Sequence, residues 1–329
     1  MEHQHPFAKF IRTLGRGQKG SRSLTQDEAY ESMGMILDGL VEPVQLGAFL
    51  MLVRVKEETP DEVTGFVRAV RERIELPGNM PAIDLDWSSY AGKRRQLPWF
   101  ILSVWLLVDD GVRVFMHGLQ GRKDDRLYTP EALAALGIPV SDSISDAANR
   151  INNTGFAYLN LEQLFPRLQQ LIDLRDYLGL RSPVHTVSRM INPFQAPYQM
   201  QGIFHPGYQA IHQGAAALLN QPHMVVIKGD GGEIECNPDA ECTLYSVHQG
   251  QLAQEQWPAL FARRHTKPAT LDVEQLREVW RGKSSDEYGV AAVISTAAIT
   301  LHLMGRATDR DSALEMAEAL WHKRSKDLI

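Results

Sequence analysis

Apolar and polar residues alternate over the first ninety positions with the period of short α-helices. One apolar face recurs at the helical spacing in Leu46, Phe49, Leu50 and Val53. Thr25 and Thr59 each stand three positions before a glutamate, which is the pattern of a capping box at a helix N-terminus. These features predict a small helical unit at the start of the chain.

From residue 82 the pattern changes to short apolar runs of strand length. Such runs occupy residues 82–87, 112–118 and 224–229, and an apolar segment of helical length, residues 97–111, separates the first two. Strand, helix, strand is the unit that builds a parallel sheet with a right-handed crossover. The pattern therefore predicts an α/β fold with a small helical N-terminal domain and a mainly parallel central sheet.

The remaining segments add an antiparallel pair and several helices. Residues 242–257 are predicted to form two strands around His248-Gln249-Gly250, and three helical segments follow. Thr129 before Pro130 predicts a helix with Thr129 as its N-cap. Ligands of open α/β sheets lie at the carboxyl ends of the strands. The candidate site segments are therefore residues 87–95, 117–126 and 228–235.

Composition and charge narrow the class of protein. The chain has 329 residues, of which 44% are hydrophobic, and 34 basic against 40 acidic residues give a net charge of −6. These values are typical of a globular protein in which any polyanion site is local. Cys236 and Cys242 have the spacing of neither a disulfide framework nor a zinc site. No apolar run reaches the roughly 20 residues of a membrane span and no secretory signal is visible, so we expect a cytoplasmic protein without membrane contact.

The basic residues are nevertheless concentrated in three parts of the chain. The loop segments carry Lys93, Arg94, Arg95, Arg122, Lys123 and Arg126. The stretch of residues 177–229, which has no acidic residue, contains Arg181, Arg189 and Lys228. A second acid-free stretch, near the N-terminus, contains Arg16, Lys19 and Arg22, which are weaker candidates. Nucleic acid binding needs several cations on one surface, because each phosphate contact releases condensed counterions. Loops after neighbouring strands meet at one sheet edge, so these residues predict a basic strip along a cleft.

The basic run Lys93-Arg94-Arg95 can also be a solvated loop without a binding role. The run from Arg16 to Arg22 can likewise be an exposed turn. If Lys93 and Arg94 are surface residues that contact nucleic acid, reversing both charges weakens oligonucleotide binding and leaves the melting temperature nearly unchanged.

Aromatic residues and histidines near these segments are further candidates. Four aromatic rings could stack on bases, with burial in the core as the alternative: Tyr90, Phe194, Tyr198 and Phe204. His117 is expected to make a buried hydrogen bond. His185 and His205 lack an accompanying acid or nucleophile, so we expect no catalytic triad.

Longer stretches resemble a known superfamily. Residues 24–39 and 44–73 are similar to the helical opening block of the anthranilate phosphoribosyltransferase and nucleoside phosphorylase superfamily. Residues 175–193, RDYLGLRSPVHTVSRMINP, resemble its pattern R-x-x-L-G-x-R-T-x-x-N-x-x-G-P-L-x-N-P. The resemblance implies a homodimer joined through the helical domain. It also implies two domains: a helical one of residues 1–80 completed by about 168–195, and an α/β one of residues 81–167 and 196–329.

Several positions depart from the active transferases of this family. Their glycine-rich loop after the first strand closes around a pyrophosphate, whereas this chain has the sequence SSYAG. Residues 228–235 lack the adjacent Asp-Glu pair that binds Mg²⁺ on phosphoribosyl pyrophosphate. Arg175 matches the arginine that meets the carboxylate of an aromatic acceptor. The resemblance implies that six residues are equivalents of the ancestral ligand pocket: Ser88, Ser89, Gly92, His117, Gly118 and Arg175. No catalytic or metal-binding role is expected for them here.

The replacements themselves resemble the YbiB-type branch of this family. They lie in residues 14–25, 88–98, 181–186 (RSPVHT) and 228–238. The branch implies a homodimer that binds single-stranded or double-stranded nucleic acid, largely without sequence preference, and needs no cofactor. One alternative is a glycosyltransferase family 3 phosphoribosyltransferase that uses phosphoribosyl pyrophosphate, Mg²⁺ and an aromatic acceptor through altered phosphate ligands. Another is a regulator that binds a small anion or nucleotide without turnover.

Overall fold

The N-terminal unit is helical, as the capping pattern predicts. A computed structural model describes residues 4–17, 19–78, 80–121 and 126–329. The first four helices are α1 (Ala8–Gly15), α2 (Gln26–Leu37), α3 (Pro43–Lys56) and α4 (Pro60–Arg71). Both predicted capping boxes are confirmed, because the hydroxyls of Thr25 and Thr59 accept from the main-chain N–H three residues on. Helix α2 packs on α4 so closely that a Cβ at Gly65 would lie 2.3 Å from the Gln26 carbonyl oxygen.

A seven-stranded sheet forms the centre of the larger unit. Its strands are β1 (Leu85–Ser89), β2 (Val114–Gly118), β3 (Phe156–Asn160), β4 (Tyr198–Ile203), β5 (His223–Lys228), β6 (Cys242–His248) and β7 (Gln251–Trp257). The order is β3-β2-β1-β4-β5-β6-β7. Strands β1 to β5 all run parallel, through four parallel pairs, and β6 is antiparallel to both β5 and β7. The predicted α/β class with a mainly parallel sheet is confirmed.

Helices cover both faces of the sheet. The remaining ones are α5 (Phe100–Asp109), α6 (Thr129–Ala135), α7 (Ile144–Thr154), α8 (Leu161–Leu164), α9 (Pro166–Asp173), α10 (Arg175–Leu178), α11 (Val184–Met190), α12 (Tyr208–Leu218), α13 (Glu274–Arg281), α14 (Glu287–Leu303) and α15 (Arg310–Lys323). One core joins α5, α6 and the three C-terminal helices to the sheet, and a second core joins the opposite face to the N-terminal helices, α7 to α9, α11 and α12. Within the described ranges, no helix is long and apolar enough to cross a membrane.

Two local predictions have different outcomes. The hairpin of β6 and β7 is confirmed, and its turn residues Gln249 and Gly250 both have positive φ, as the tightest hairpin turns require. The predicted cap of α6 is wrong by one residue, because the helix begins at Thr129 and Tyr128 is its N-cap. The Tyr128 N–H donates to Glu131 at 3.0 Å, whereas the Thr129 hydroxyl bonds to Ser89 instead.

Helix α11 lies between the helical unit and the sheet. It contacts α4 and α9 on one side and β1 and α12 on the other. The Arg71 side chain on α4 donates to the main-chain oxygens of Met190 and Ile191, at 3.0 and 2.7 Å. The segment of residues 175–193 is thereby held over the carboxyl ends of the parallel strands.

Candidate functional site

Four loops meet at the carboxyl edge of the parallel strands. They follow β1, β2, β4 and β5, and β1 pairs with both β2 and β4. The approach is tight: a Cβ at Gly118 would lie 1.8 Å from the Ser89 carbonyl oxygen. Glycine is therefore required at the end of β2, and the loops that leave β1 and β2 start side by side.

The loop after β1 forms a main-chain cradle that holds the side chain of Glu233. The N–H groups of Ala91 and Gly92 both donate to Glu233 Oε1 at 2.6 Å, and the Ser89 hydroxyl donates to Oε2 at 2.8 Å. Gly92 has φ of 67°, which lets consecutive N–H groups converge on one oxygen. Burial raises the pKa of Glu233, and these three donors oppose that rise.

The loop that delivers Glu233 is fixed by close main-chain contacts. It contains a 3-10 turn, Asp230–Gly232. A Cβ at Gly202 on β4 would lie 2.6 Å from the Glu233 carbonyl carbon, and a Cβ at Gly229 would lie 1.5 Å from its oxygen. The backbone around Glu233 therefore has little room to move away from the cradle.

Lys93 lies inside the protein, so its predicted place on a surface strip is wrong. Its side chain is 1% exposed, and Nζ contacts the carboxylates of Asp230 and Glu235, the latter at 2.5 Å. Burial alone would lower the pKa of Lys93, but the two carboxylates raise it above its ordinary value. The expectation that Lys93→Glu with Arg94→Glu would leave the melting temperature nearly unchanged loses its premise, because Lys93→Glu would place a third carboxylate beside Asp230 and Glu235.

Glu235 joins this ion pair to the start of a helix. Its Oε2 accepts from the N–H of Phe100, the first residue of α5, at 2.9 Å. Burial raises the pKa of Glu235 to about 7, against the opposing charge of Lys93. The positive end of α5 thus also faces a carboxylate of the chain itself.

The other predicted basic loop residues have separate positions. Arg94 and Arg95 are exposed, as is Lys228 at the end of β5. Arg126 donates to the main-chain oxygens of Ala91 and Gly92 at 2.9 and 3.2 Å, so it fixes the back of the cradle. Arg122 and Lys123 lie outside the described residues.

Four arginines converge beside the cradle, and we call Arg126, Arg175, Arg181 and Arg189 the arginine cluster. Burial, together with the positive charges of the other three, lowers the pKa of Arg181 to about 10. Arg189 is buried and donates to the main-chain oxygens of His185 and Gly202. Among the residues that the structure describes, neither Arg175 nor Arg181 forms an ion pair, so the cluster keeps an excess of positive charge.

Two adjoining cavities open onto the arginine cluster and share Arg181 and His185. The first lies towards the helical unit and is also lined by Arg54, Phe204 and His205. The second lies towards the loop after β2 and is lined by residues that include Arg175, Tyr90 and Tyr128. Carboxylates also line both cavities, Glu58 in the first and Asp173 and Asp176 in the second, so the site is a divided cleft of mixed charge with the arginines grouped between its two parts.

The two buried histidines of the site are held by hydrogen bonds. His117 Nδ1 lies 2.7 Å from the Tyr90 hydroxyl, and its Nε2 lies 3.4 Å from Asp86 Oδ1 without a hydrogen bond. His185 Nδ1 lies 3.2 Å from the Ser182 carbonyl oxygen. Burial, together with the positive charges of Arg189 and Arg181, lowers the pKa of His185 to about 3. The imidazole of His185 is therefore neutral.

Only one of the four candidate aromatic rings is exposed at the site. Phe204 is 54% exposed and lines the first cavity. Tyr90 is buried, and Phe194 packs edge-on against Phe115 with ring centroids 4.4 Å apart. Tyr198 is the first residue of β4, so it lies at the opposite edge of the sheet from the cleft.

The N-terminal basic residues and Ser88 complete the predicted set. Arg16 and Lys19 are exposed, but Arg22 pairs with Glu28 at 2.6 Å. Ser88 is buried in β1 and paired with His117 in the sheet register.

Sequence reasoning missed Glu233 and Glu235 as occupants of the site. The sequence feature that could have pointed to them is a pair of glutamates two positions apart, directly after a glycine-rich turn.

Comparisons with known proteins agree with this architecture. The family description "Glycosyl transferase family, helical bundle domain" matches residues 8–74, and "Glycosyl transferase family, a/b domain" matches residues 110–324. An uncharacterized protein of Aquifex aeolicus is 32% identical over 233 residues, 70% of either chain. An anthranilate phosphoribosyltransferase of Geobacillus is 26% identical over 316 residues, covering 92% of this chain and 91% of the relative.

Solved structures show the same fold. Anthranilate phosphoribosyltransferase of Thermus thermophilus superposes with a TM-score of 0.77 at 20% identity, over 97% of this chain and 94% of the other. The Saccharomyces cerevisiae enzyme in complex with PRPP and Mg has a TM-score of 0.77 at 16% identity, over 96% and 93%. Since the match to the α/β domain alone spans more than half of the sequence, the chain belongs to glycosyltransferase family 3, the family of the anthranilate phosphoribosyltransferases.

Proposed function

We propose that this chain is a homodimer that binds nucleic acid on the anthranilate phosphoribosyltransferase scaffold, mainly without sequence preference and without ribosyl transfer. The arginine cluster carries the proposal. Guanidinium groups bind phosphate oxygens in a bidentate manner, and Arg175 and Arg181, which form no ion pair among the described residues, are the members of the cluster with charge to offer a polyanion. Arg175 and Arg181 line cavities that open to solvent, so a phosphate backbone can reach them.

The rim of the cleft supports a ligand longer than a single nucleotide. The exposed Arg94, Arg95 and Lys228 follow β1 and β5, on the same sheet edge as the arginine cluster. The exposed ring of Phe204 beside the first cavity offers a face on which a base can stack. Backbone contacts and stacking do not depend on base identity, so this arrangement favours binding without sequence preference.

The residues around the cradle do not fit the diphosphate and magnesium of a transferase. The donors of Ser89, Ala91 and Gly92 are satisfied by Glu233. The carboxylates of Asp230 and Glu235 are neutralised by Lys93. Mg²⁺ needs free oxygen ligands in octahedral geometry, and within the described ranges no group of three or more potential ligands is arranged to hold a metal. We therefore derive no transfer step for this chain.

Charge reversal of Arg175 and Arg181 tests the proposal. The double variant Arg175→Glu/Arg181→Glu should bind a labelled single-stranded oligonucleotide roughly a hundredfold more weakly, because two charge-assisted contacts are lost. The slope of log affinity against log salt should fall by about 1.4. Fluorescence anisotropy across a salt titration measures both quantities.

A remote charge change is the matched control for that experiment. Lys323 is exposed at the end of α15, a segment tied to Asp109 at the far edge of the sheet. Lys323→Glu should leave the affinity and the slope unchanged. Equal binding by the double variant and this control would overturn the proposal. Saturable stabilisation of the wild-type protein by phosphoribosyl pyrophosphate with Mg²⁺, without oligonucleotide binding, would favour the transferase instead.

The homodimer is proposed through an apolar stripe on α3. Val44 and Val55 are each 79% exposed, and with Ala48 and Met51 they share one face of the helix. Tyr177, 89% exposed, extends the stripe on α10. Such an apolar surface is typical of a protein–protein interface. In the proposed dimer, which is joined through the helical unit, the same surface of a second copy of this chain covers it.

Substitution of the stripe should separate the proposed dimer. We expect Val44→Asp/Val55→Asp to sediment as a monomer at micromolar concentration, whereas the wild-type chain sediments as a dimer, because buried carboxylates without partners disfavour the interface. Leu252→Asp, on the 56% exposed Leu252 of edge strand β7, is the control and should remain dimeric. A wild-type monomer, or a dimeric double variant, would contradict this assignment.

A further inference from the structure

We propose that Glu233 is a built-in anion, which occupies a phosphate-binding cradle made by Ser89, Ala91 and Gly92 and thereby excludes inorganic phosphate and diphosphate. This role deepens the proposed function, since it assigns the discrimination between small phosphates and a polyanion to one side chain. It can nevertheless be tested without any oligonucleotide.

The donors of the cradle are those that bind a tetrahedral oxyanion. Two consecutive N–H groups point at one oxygen of Glu233 and a hydroxyl points at the other, all within 2.8 Å. Concave sets of main-chain N–H groups bind phosphate in the same way. The guanidinium of Arg189 adds positive charge that acts on the same carboxylate. A phosphate that replaced the carboxylate would meet the same donors.

The covalent attachment of Glu233 gives it the advantage over a free anion. A covalently tethered group has an effective concentration of about a millimolar or more, the value for two groups joined by a short linker. The close contacts at Gly202 and Gly229 hold its backbone in place. An entering phosphate would also leave the Glu233 carboxylate buried without its three donors, which is strongly unfavourable.

Two substitutions at Glu233, one that keeps the size of the side chain and one that removes it, separate loss of the charge from loss of the occupant. Glu233→Gln keeps an oxygen for the N–H groups of Ala91 and Gly92, so the cradle stays filled without a charge. Glu233→Ala empties the cradle and leaves its donors free. We expect Glu233→Ala to bind phosphate and diphosphate at least tenfold more tightly than either the wild-type chain or Glu233→Gln. Isothermal titration calorimetry without Mg²⁺ measures the affinities.

The thermal shift gives a second readout. Phosphate should raise the melting temperature of Glu233→Ala above that in sodium chloride of equal ionic strength, with no such difference for Glu233→Gln. If Glu233→Ala does not fold in chloride, refolding in phosphate should restore its near-ultraviolet circular dichroism.

A folded Glu233→Ala that does not distinguish phosphate from chloride would overturn the role of Glu233, as would an unfolded one that phosphate does not rescue. Equal diphosphate affinity of the wild-type chain and Glu233→Ala would also overturn it. Oligonucleotide binding by the wild-type chain is a separate measurement, so failure of the cradle assignment and failure of nucleic-acid binding are distinguishable.

Discussion

Replacing Lys93 by methionine should lower the free energy of unfolding by about 3–5 kcal/mol, the range for removing one partner of a buried ion pair. The loss follows because Glu235 is fully buried and, without its counterion, must either remain an unpaired carboxylate or take up a proton, and each costs stability. Urea unfolding followed by tryptophan fluorescence measures the change, and the midpoint should fall without a change in slope.

The double variant Lys93→Met/Glu235→Leu is the control for this prediction. It removes both buried charges and should be more stable than Lys93→Met alone, since the penalty lies in the unpaired carboxylate. The defect of Lys93→Met should also be smaller at pH 5 than at pH 8. Burial already raises the pKa of Glu235 to about 7, so its carboxyl is readily protonated at the lower pH. A loss of less than about 1 kcal/mol would mean that Lys93 contributes little as a buried partner.

Stability should also fall as the pH drops from about 6.5 towards 3, because His185 and His212 are buried as neutral imidazoles. Burial lowers the pKa of each to about 3. Between these values the unfolded chain binds more protons than the folded chain, so acid favours unfolding. Each histidine should remove about 2 kcal/mol of stability at pH 5, which is 1.5 pH units below the ordinary histidine pKa. Urea unfolding at a series of pH values measures the slope.

Glutamine variants isolate the histidine contribution. In His212→Gln the slope of stability against pH should be shallower between pH 5 and 6.5 than in the wild-type chain. The raised pKa of Glu235 acts in the opposite direction over part of this range, but it is present in both proteins and cancels in the comparison. His212 Nδ1 lies 2.5 Å from Gln201 Oε1, a contact that a glutamine amide can replace. Parallel curves for the two proteins would contradict the prediction.

Elements defined by local chemistry and the buried strands β1, β2 and β5, which are apolar runs, were predictable, whereas β3 and β4 were not. The capping boxes of α2 and α4 and the turn between β6 and β7 depend on residues within four positions of one another. β3 is buried along its whole length and shows no alternation, as expected for a parallel strand covered on both faces. β4 places Gln199 and Gln201 inside the protein, where Asp86 and His212 are their partners. Polar residues at buried positions conceal a strand from pattern analysis.

The candidate site shows the same limit for charged residues. The sequence reveals the sign of each charge in the loop after β1, and Arg94 and Arg95 are exposed as a basic loop predicts. It does not reveal that Lys93 meets Asp230 and Glu235, which are more than 130 positions away along the chain. Burial of a lysine is uncommon unless carboxylates surround it, and only the fold brings those carboxylates near.

The interlocked loops after β1 and β5 also restrict how this chain can change by mutation. Gain of a loop that holds a diphosphate together with Mg²⁺ would require loss of both Glu233 and the Lys93–Glu235 pair, because loss of Glu233 alone frees only the donors of the cradle. Any single step on that path leaves a buried charge or main-chain N–H groups without a partner, and the resulting intermediate is unstable. Selection removes variants that fall below the stability threshold. The contacts in the cradle therefore oppose change at the centre of the site and favour change at the exposed rim.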